Sequence, residues 1–194
     1  MSLCLILGLF ACKETVEIST DQTVEKQELV YQQGVDQPFS GVVYTNYDSN
    51  PDNVQRQYQD TYEDGKLHGL TTQWYKNGQK YKEGSYKHGD ADGIWTWWFR
   101  DGKMKQKVSY SKGVVEGDYE IYFDNGNLWA RILYKNGKAW ESLEHYYRNG
   151  VPVDQNTLKD GKGKLHNYDP YGVLITIETY EKGSVIQTIE NTQR

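Results

Sequence analysis

Four histidines, His68, His88, His145 and His166, and an acid-rich loop, GDADG at residues 89–93, are the side chains with most chemistry to offer in this 194-residue chain. Histidines hold zinc or move protons when they recur at metal-ligand spacing. These four fall at different positions of a 24-residue repeat, a spacing that predicts loop and surface residues and no metal centre. A calcium loop spreads its oxygen ligands over about twelve residues; GDADG coincides with glycines that recur elsewhere in the chain and predicts a plain turn. Gly161-Lys162-Gly163 falls short of the G-x-G-x-x-G fingerprint that lets a backbone approach a pyrophosphate. G-x-S-x-G, a phosphate loop and H-E-x-x-H are all missing, and almost every acid lies at a turn or an outer strand position. The sequence therefore predicts no catalytic residue, no metal ligand set and no cofactor, which is the pattern of a non-enzymatic protein.

The composition bounds the elements that must position any site. Hydrophobic residues make up 37% and the mean hydropathy is −0.85, low for a two-layer globule. Aromatic residues nevertheless reach 14%, with 17 Tyr and 6 Trp, which suits a sheet with much wetted surface and is wrong for disorder. A formal net charge of −5 gives no basic footprint for nucleic acid or an anionic membrane surface.

The first eleven residues, MSLCLILGLFA, are apolar and too short to span a bilayer, so 1–11 is expected to be a signal peptide despite lacking a basic start. Leu9-Phe10-Ala11-Cys12 resembles a bacterial lipobox, with Phe10 bulkier than the pattern prefers, and Cys12 is the expected lipid-attachment site. Cys4 would leave with the signal, so the mature chain is expected to have no disulfide and no free thiol. Stable anchoring needs more than one acyl chain, a condition a multiply acylated cysteine meets. Residues 13–28 carry five acids against two lysines and no aromatic residue, and 12–37 is expected to be a polar tether. Lys13-Glu14 is similar to the charged export signal of surface lipoproteins in Bacteroidetes-type bacteria. These features together imply an outer-membrane lipoprotein of a Gram-negative cell envelope, facing the periplasm or the outside.

Beyond residue 37 the chain repeats. Tyr62/Gly65, Tyr86/Gly89, Tyr110/Gly113 and Tyr134/Gly137 follow one another every 24 residues. A second glycine recurs at Gly69, Gly93 and Gly117, with Glu141 breaking the series. A third recurs at Gly78, Gly102, Gly126 and Gly150, each after Asn or Asp and each preceded by two aromatics: Trp74-Tyr75, Trp98-Phe99, Tyr122-Phe123 and Tyr146-Tyr147. Asn-Gly and Asp-Gly between aromatic runs predict two-residue type I′ hairpins. For Asn125-Gly126 that register sets Phe123 against Leu128, Ile121 against Ala130 and Tyr119 against Ile132 on one face, with Tyr122 against Trp129 and Glu120 against Arg131 on the other. It likewise groups Trp95, Trp97, Phe99, Met104 and Val108, with Trp98 against Lys105 on the opposite face. Isolated hairpins are marginal in water, so each ring is expected to stack on its counterpart in the neighbouring units.

The pattern Y-x-x-G-x-x-x-G, then about seven residues ending in two aromatics, then x-N/D-G, resembles the MORN repeat variant over roughly residues 38–184. The resemblance implies an all-β fold, an elongated single-layer antiparallel sheet of repeated hairpins, with a repeat domain at 38–187, a tail at 188–194, and irregular or capping units near Glu141 and Gly161–Gly172. Bacterial relatives are often lipoproteins, and many are labelled antitoxins of toxin–antitoxin pairs, so a toxin is one implied partner and an envelope protein another. Tryptophans on short hairpins are also similar to choline- and cell-wall-binding repeats, which implies a glycan, although those repeats are nearer twenty residues and carry a G-W-x pattern that this chain lacks. The expected recognition surface is the column Trp74, Trp98, Tyr122 and Tyr146, one aromatic per period beside Thr96, Lys105, Glu120 and Arg131. A scaffold for protein interaction is the leading expectation.

Overall fold

The computed structural model describes residues 15–47, 55–169 and 171–191. Fifteen strands form among them: β1 Glu17–Ser19, β2 Thr23–Lys26, β3 Leu29–Gln32, β4 Gly41–Asn46, β5 Arg56–Glu63, β6 Lys66–Trp74, β7 Lys80–Lys87 and β8 Asp90–Trp98, followed by β9 Met104–Ser111, β10 Val114–Tyr122, β11 Leu128–Lys135, β12 Lys138–His145, β13 Gly163–Tyr168, β14 Leu174–Glu181 and β15 Ser184–Glu190. Strands β4 to β12 lie side by side in chain order, each antiparallel to the next, in an open sheet of consecutive hairpins. β1 adds a tenth strand beyond β4 and runs parallel to it.

The 24-residue period has a geometric origin. A nine-residue strand, five connecting residues, an eight-residue strand and a two-residue turn fill it, as in β6, Tyr75–Gln79, β7 and His88-Gly89. The longer strand of each unit bulges at the second recurring glycine: Asp60 pairs with Thr71 and Tyr62 with Leu67, so four residues of β6 span two of β5, and the same slip recurs in β8 and β10. Gly69, Gly93 and Gly117 hold φ of +97°, +79° and +93° there, a region that only glycine enters without strain.

The two ends of the ribbon carry different turns, and only one of them is the arrangement expected at Asn-Gly. Phe123 accepts from the Gly126 amide and donates to Asn127 O, and of the loop residues only the glycine has positive φ. This is a three-residue loop, a type I turn closed by a glycine bulge. Asn125 sits in it with ordinary φ, and its Oδ1 accepts from the Asn127 amide at 3.0 Å. Type I′ turns instead close the opposite end, at Asp64-Gly65, His88-Gly89, Lys112-Gly113 and Asn136-Gly137, where both residues have positive φ.

The extra loop residue leaves the inner register as expected, with Tyr119 against Ile132, Glu120 against Arg131 and Ile121 against Ala130. It shifts the outer pairs. Tyr122 meets Leu128 rather than Trp129, and Trp98 meets Met104 rather than Lys105. Trp129 stacks on Phe123 at 5.5 Å between centroids. The rings also do not stack on counterparts one period away. Trp95 receives the edges of Tyr86 at 5.0 Å and Tyr110 at 6.1 Å and lies 6.0 Å from Trp97, so its contacts join different repeat positions. Edge-to-face contact satisfies the ring quadrupoles better than a face-to-face pile.

Trp95 is buried in a sheet that has no second layer above it, because its neighbours fold over it and because β7 makes room. Gly84 lies beneath the ring, and a Cβ there would fall 2.2 Å from Trp95 Cδ2. The indole Nε1 donates to Ser85 O at 3.1 Å. Gly84 has no glycine counterpart one period away, where Asp60 and Val108 stand. The tryptophan and the glycine form one unit.

The tether expected over 12–37 is folded from β1 onward. Ile18, Phe39 and Val43 form a small buried core with Val30 and Tyr62 packed against it, and β2 pairs with β3. A few apolar side chains in a mostly polar stretch, Ile18 and Val30 among them, dock it on the otherwise open end of the sheet. At the other end β13, β14 and β15 form a separate three-stranded sheet, where Leu158, Leu165 and Tyr180 bury Ala139 with Ile132 and Tyr134. β15 continues to Glu190, into the segment expected as a tail. Glu141 replaces the bulge glycine at the last strand of the long sheet, and Leu158, 2% exposed, stands where the next tyrosine of the series would fall.

Gly84→Ala is expected to lower stability by ~1–3 kcal/mol through overpacking, read as a lower urea midpoint with an unchanged slope. An unchanged midpoint would contradict this packing of Trp95.

Candidate functional site

The column Trp74, Trp98, Tyr122 and Tyr146 lies along the end of the ribbon that carries the three-residue loops. The first three residues end β6, β8 and β10 and the fourth follows β12, and all four are half-buried. Their backbones are tied across hairpins: Tyr47 Oη donates to Trp74 O at 2.6 Å and Tyr75 Oη to Trp98 O at 2.9 Å. Tyr122 Oη donates to Glu120 at 2.7 Å and Tyr146 Oη to Glu144 at 3.0 Å. Burial and then the Glu120 carboxylate push the Tyr122 phenol up to about 12.

A polar row runs beside the column because register aligns Thr72, Glu83, Thr96, Lys107, Glu120, Arg131 and Glu144 on successive strands. Arg131 binds Asp118 at 2.6 Å and Glu144 at 3.3 Å and lies 3.9 Å from Glu120, which is itself 3.9 Å from Lys107. The glutamates that hold the tyrosine hydroxyls thus also belong to the charge row. Tyr122 further borders an apolar cavity of about 260 Å³ between neighbouring hairpins, lined by Phe99, Ile121, Phe123 and Trp129. Of the expected neighbours of the column, Thr96, Glu120 and Arg131 lie in this row. Lys105 lies over the Phe99 ring.

The histidines divide into two pairs. His145 is buried at the end of β12, with Nδ1 against the Asn156 amide and Trp129 edge-on, and His166 lies near it. His68 and His88, which the spacing keeps apart in sequence, come together at the opposite end of the ribbon with Glu63, their ligand atoms within 4.8 Å of one another. Linear spacing hides this grouping, since adjacency across the sheet depends on the bulge and the I′ turn. Cys12 lies outside the described residues, and no helix among those described is long and apolar enough to cross a membrane.

Residues 67–88, 91–112 and 115–136 each match the family model of the MORN repeat variant. The chain carries three consecutive MORN repeats. Each matched segment begins inside the longer strand of a unit and ends on the first residue of a I′ turn. The MORN units so matched are the three most regular hairpins, and they include Trp74, Trp98 and Tyr122 of the column, while Tyr146 lies beyond them. No curated protein matches the chain. As a class MORN repeats are non-catalytic interaction modules.

Burial, with His166 beside it, pushes His145 down to about 4 from its usual 6.5. The folded state keeps the ring neutral where an unfolded chain would protonate it, so its stabilisation is full above pH 6.5 and is lost as pH falls toward 4. The melting temperature is expected to drop across that window, and His145→Gln to flatten the drop. An equally steep acid limb in the variant would contradict the assignment.

Proposed function

We propose that this chain is a lipid-anchored envelope lipoprotein of a Gram-negative bacterium, attached through Cys12 to the outer membrane, whose MORN sheet is a scaffold that recognises another envelope protein. The carrying observation is the aromatic column beside the charge row. Interfaces are enriched in Tyr, Trp and Arg, with aromatic anchors in desolvated surroundings, and this stripe offers Trp98, Tyr122 and Arg131, of which Tyr122 borders an apolar cavity. Its rings and charges are already ordered by shared glutamates, which lowers the entropic cost of fixing them in a complex. Repetition suits the role, because each added hairpin lengthens the same surface.

Trp98→Ala tests the surface, since it removes the ring and keeps the backbone carbonyl that Tyr75 binds. The expected result is loss of the envelope protein that cross-links to the wild-type sheet, with a melting temperature within about 2 °C of wild type, less than a 1 kcal/mol change would shift a domain of this size. A large fall in melting temperature would make the column structural, and a glycan retained on the wild-type sheet but lost with Trp98 would replace the protein partner. In the same strain Cys12→Ala is expected to release the chain from the membrane fraction and abolish fatty-acid labelling. Label retained on the variant would overturn the anchor.

A further inference from the structure

Glu63, His68 and His88 occupy positions that the repeat does not reserve for ligands. One period later the corresponding residues are Lys87, Asp92 and Lys112, and two periods later Ser111, Glu116 and Asn136. Two imidazoles and a carboxylate therefore gather at a single junction, between the β5–β6 hairpin and the I′ turn that joins β7 to β8.

Their geometry is that of converging donors. His68 Nδ1 is 2.9 Å from Glu63 Oε2, yet this buried nitrogen makes no aligned hydrogen bond to it. These two atoms and a nitrogen of His88 lie within 4.8 Å of one another, close enough to share one ion. The His88 ring meets the His68 ring edge-on, centroids 4.7 Å apart, so a nitrogen of each faces the same space. His88 is held there by the backbone, with φ of +53° at the first central position of the turn, a conformation histidine enters more readily than most residues. Beside the cluster runs a groove of about 570 Å³ in which His88 is accompanied by three carboxylates, Glu25, Glu28 and Asp90, against one lysine, Lys66, a balance that favours a cation over an anion.

We propose that Glu63, His68 and His88 form a binding site for a divalent transition-metal ion of the zinc class, clamping two consecutive hairpins. Two imidazole nitrogens and one carboxylate oxygen are a donor set that Zn²⁺ accepts at bond lengths of about 2.0–2.2 Å, leaving a fourth position for water. The ligand side chains are partly exposed, with 34% for His68 and 56% for Glu63, so they are free to close around an ion. Binding requires the imidazoles neutral and so weakens with acid. By holding the folded state alone, the ion stabilises it by mass action.

The test titrates ZnCl₂ into the full-length, untagged chain and follows the imidazole resonances of all four histidines by NMR, with melting temperature and calorimetric affinity in parallel. One equivalent is expected to shift the His68 and His88 signals, leave those of His145 and His166 unmoved, and raise the melting temperature until EDTA is added. His88→Asn keeps the left-handed turn and is expected to weaken zinc binding at least tenfold, Glu63→Gln several-fold, and His166→Asn not at all. Zinc uptake with all four histidines silent would place the ion elsewhere on the chain and overturn the proposal. Equal perturbation of all four, or full affinity in His88→Asn, would do the same.

Discussion

Six backbone amides hold the ribbon in register. In six I′ turns the second residue is a glycine whose N–H donates to a carbonyl in the unit before it: Gly65 to Phe39, Gly89 to Leu67, Gly113 to Ala91, Gly137 to Val115, Gly161 to Trp140 and Gly183 to Gly161, all within 2.7–2.9 Å. A turn amide usually faces water; here the left-handed glycine aims it at the neighbouring hairpin, so every unit is bonded to the last at its tip as well as along its strands. The series continues past β12, where strand pairing stops, and the bond from Gly161 to Trp140, with that from Ser142 to Leu158 and the packing of Leu158, Leu165 and Tyr180 on Ala139, ties the three-stranded sheet to the long one.

A sheet so bonded gains its packing sideways rather than from a covering layer. Trp95 is buried by Tyr86, Tyr110 and Trp97, and Thr71, equally buried on the same face, satisfies its hydroxyl on Asp60. Burial of Asp60 raises its carboxyl above the usual range against the lowering effect of Thr71 and Lys82. Both faces and the loop-bearing end remain available, which is what a surface for recognition needs. Individual character enters where the repeat is broken: Gly84 under Trp95, Leu158 and Glu141 at the end of the long sheet, and the grouping of Glu63, His68 and His88.

The repeat and its apolar sorting were legible in the sequence because glycine and tyrosine recur at one interval and the strand period of two assigns each side chain a face. Pairings close to the centre of each hairpin, such as Tyr119 with Ile132, followed directly. The turn types did not, since Asn-Gly fits both a I′ turn and a type I turn with a glycine bulge, and the choice rests on the extra residue between Phe123 and Asn127. The order of residues 17–32 was hidden because apolar residues are few and scattered there, Ile18, Val24, Leu29 and Val30 with Tyr31, and the value of Ile18 and Val30 lies in the end of the sheet they cover. The charge row was readable in part as Glu120 opposite Arg131. The histidine pair was not, because His68 and His88 are brought together by the bulge at Gly69 and the turn at Gly89.

The central claim is that each 24-residue unit is bonded chiefly to its neighbours, and removal of one unit tests it most directly. Deleting Gly93–Glu116 preserves strand direction and brings the following turn glycine onto the preceding carbonyl, whereas deleting Gly93–Met104 reverses the strands beyond it. Circular dichroism melts are predicted to show a cooperative all-β protein of lower stability for the first and no folded sheet beyond the junction for the second. Equal loss of structure in both would mean that the chain folds around a shared core, and would contradict the account.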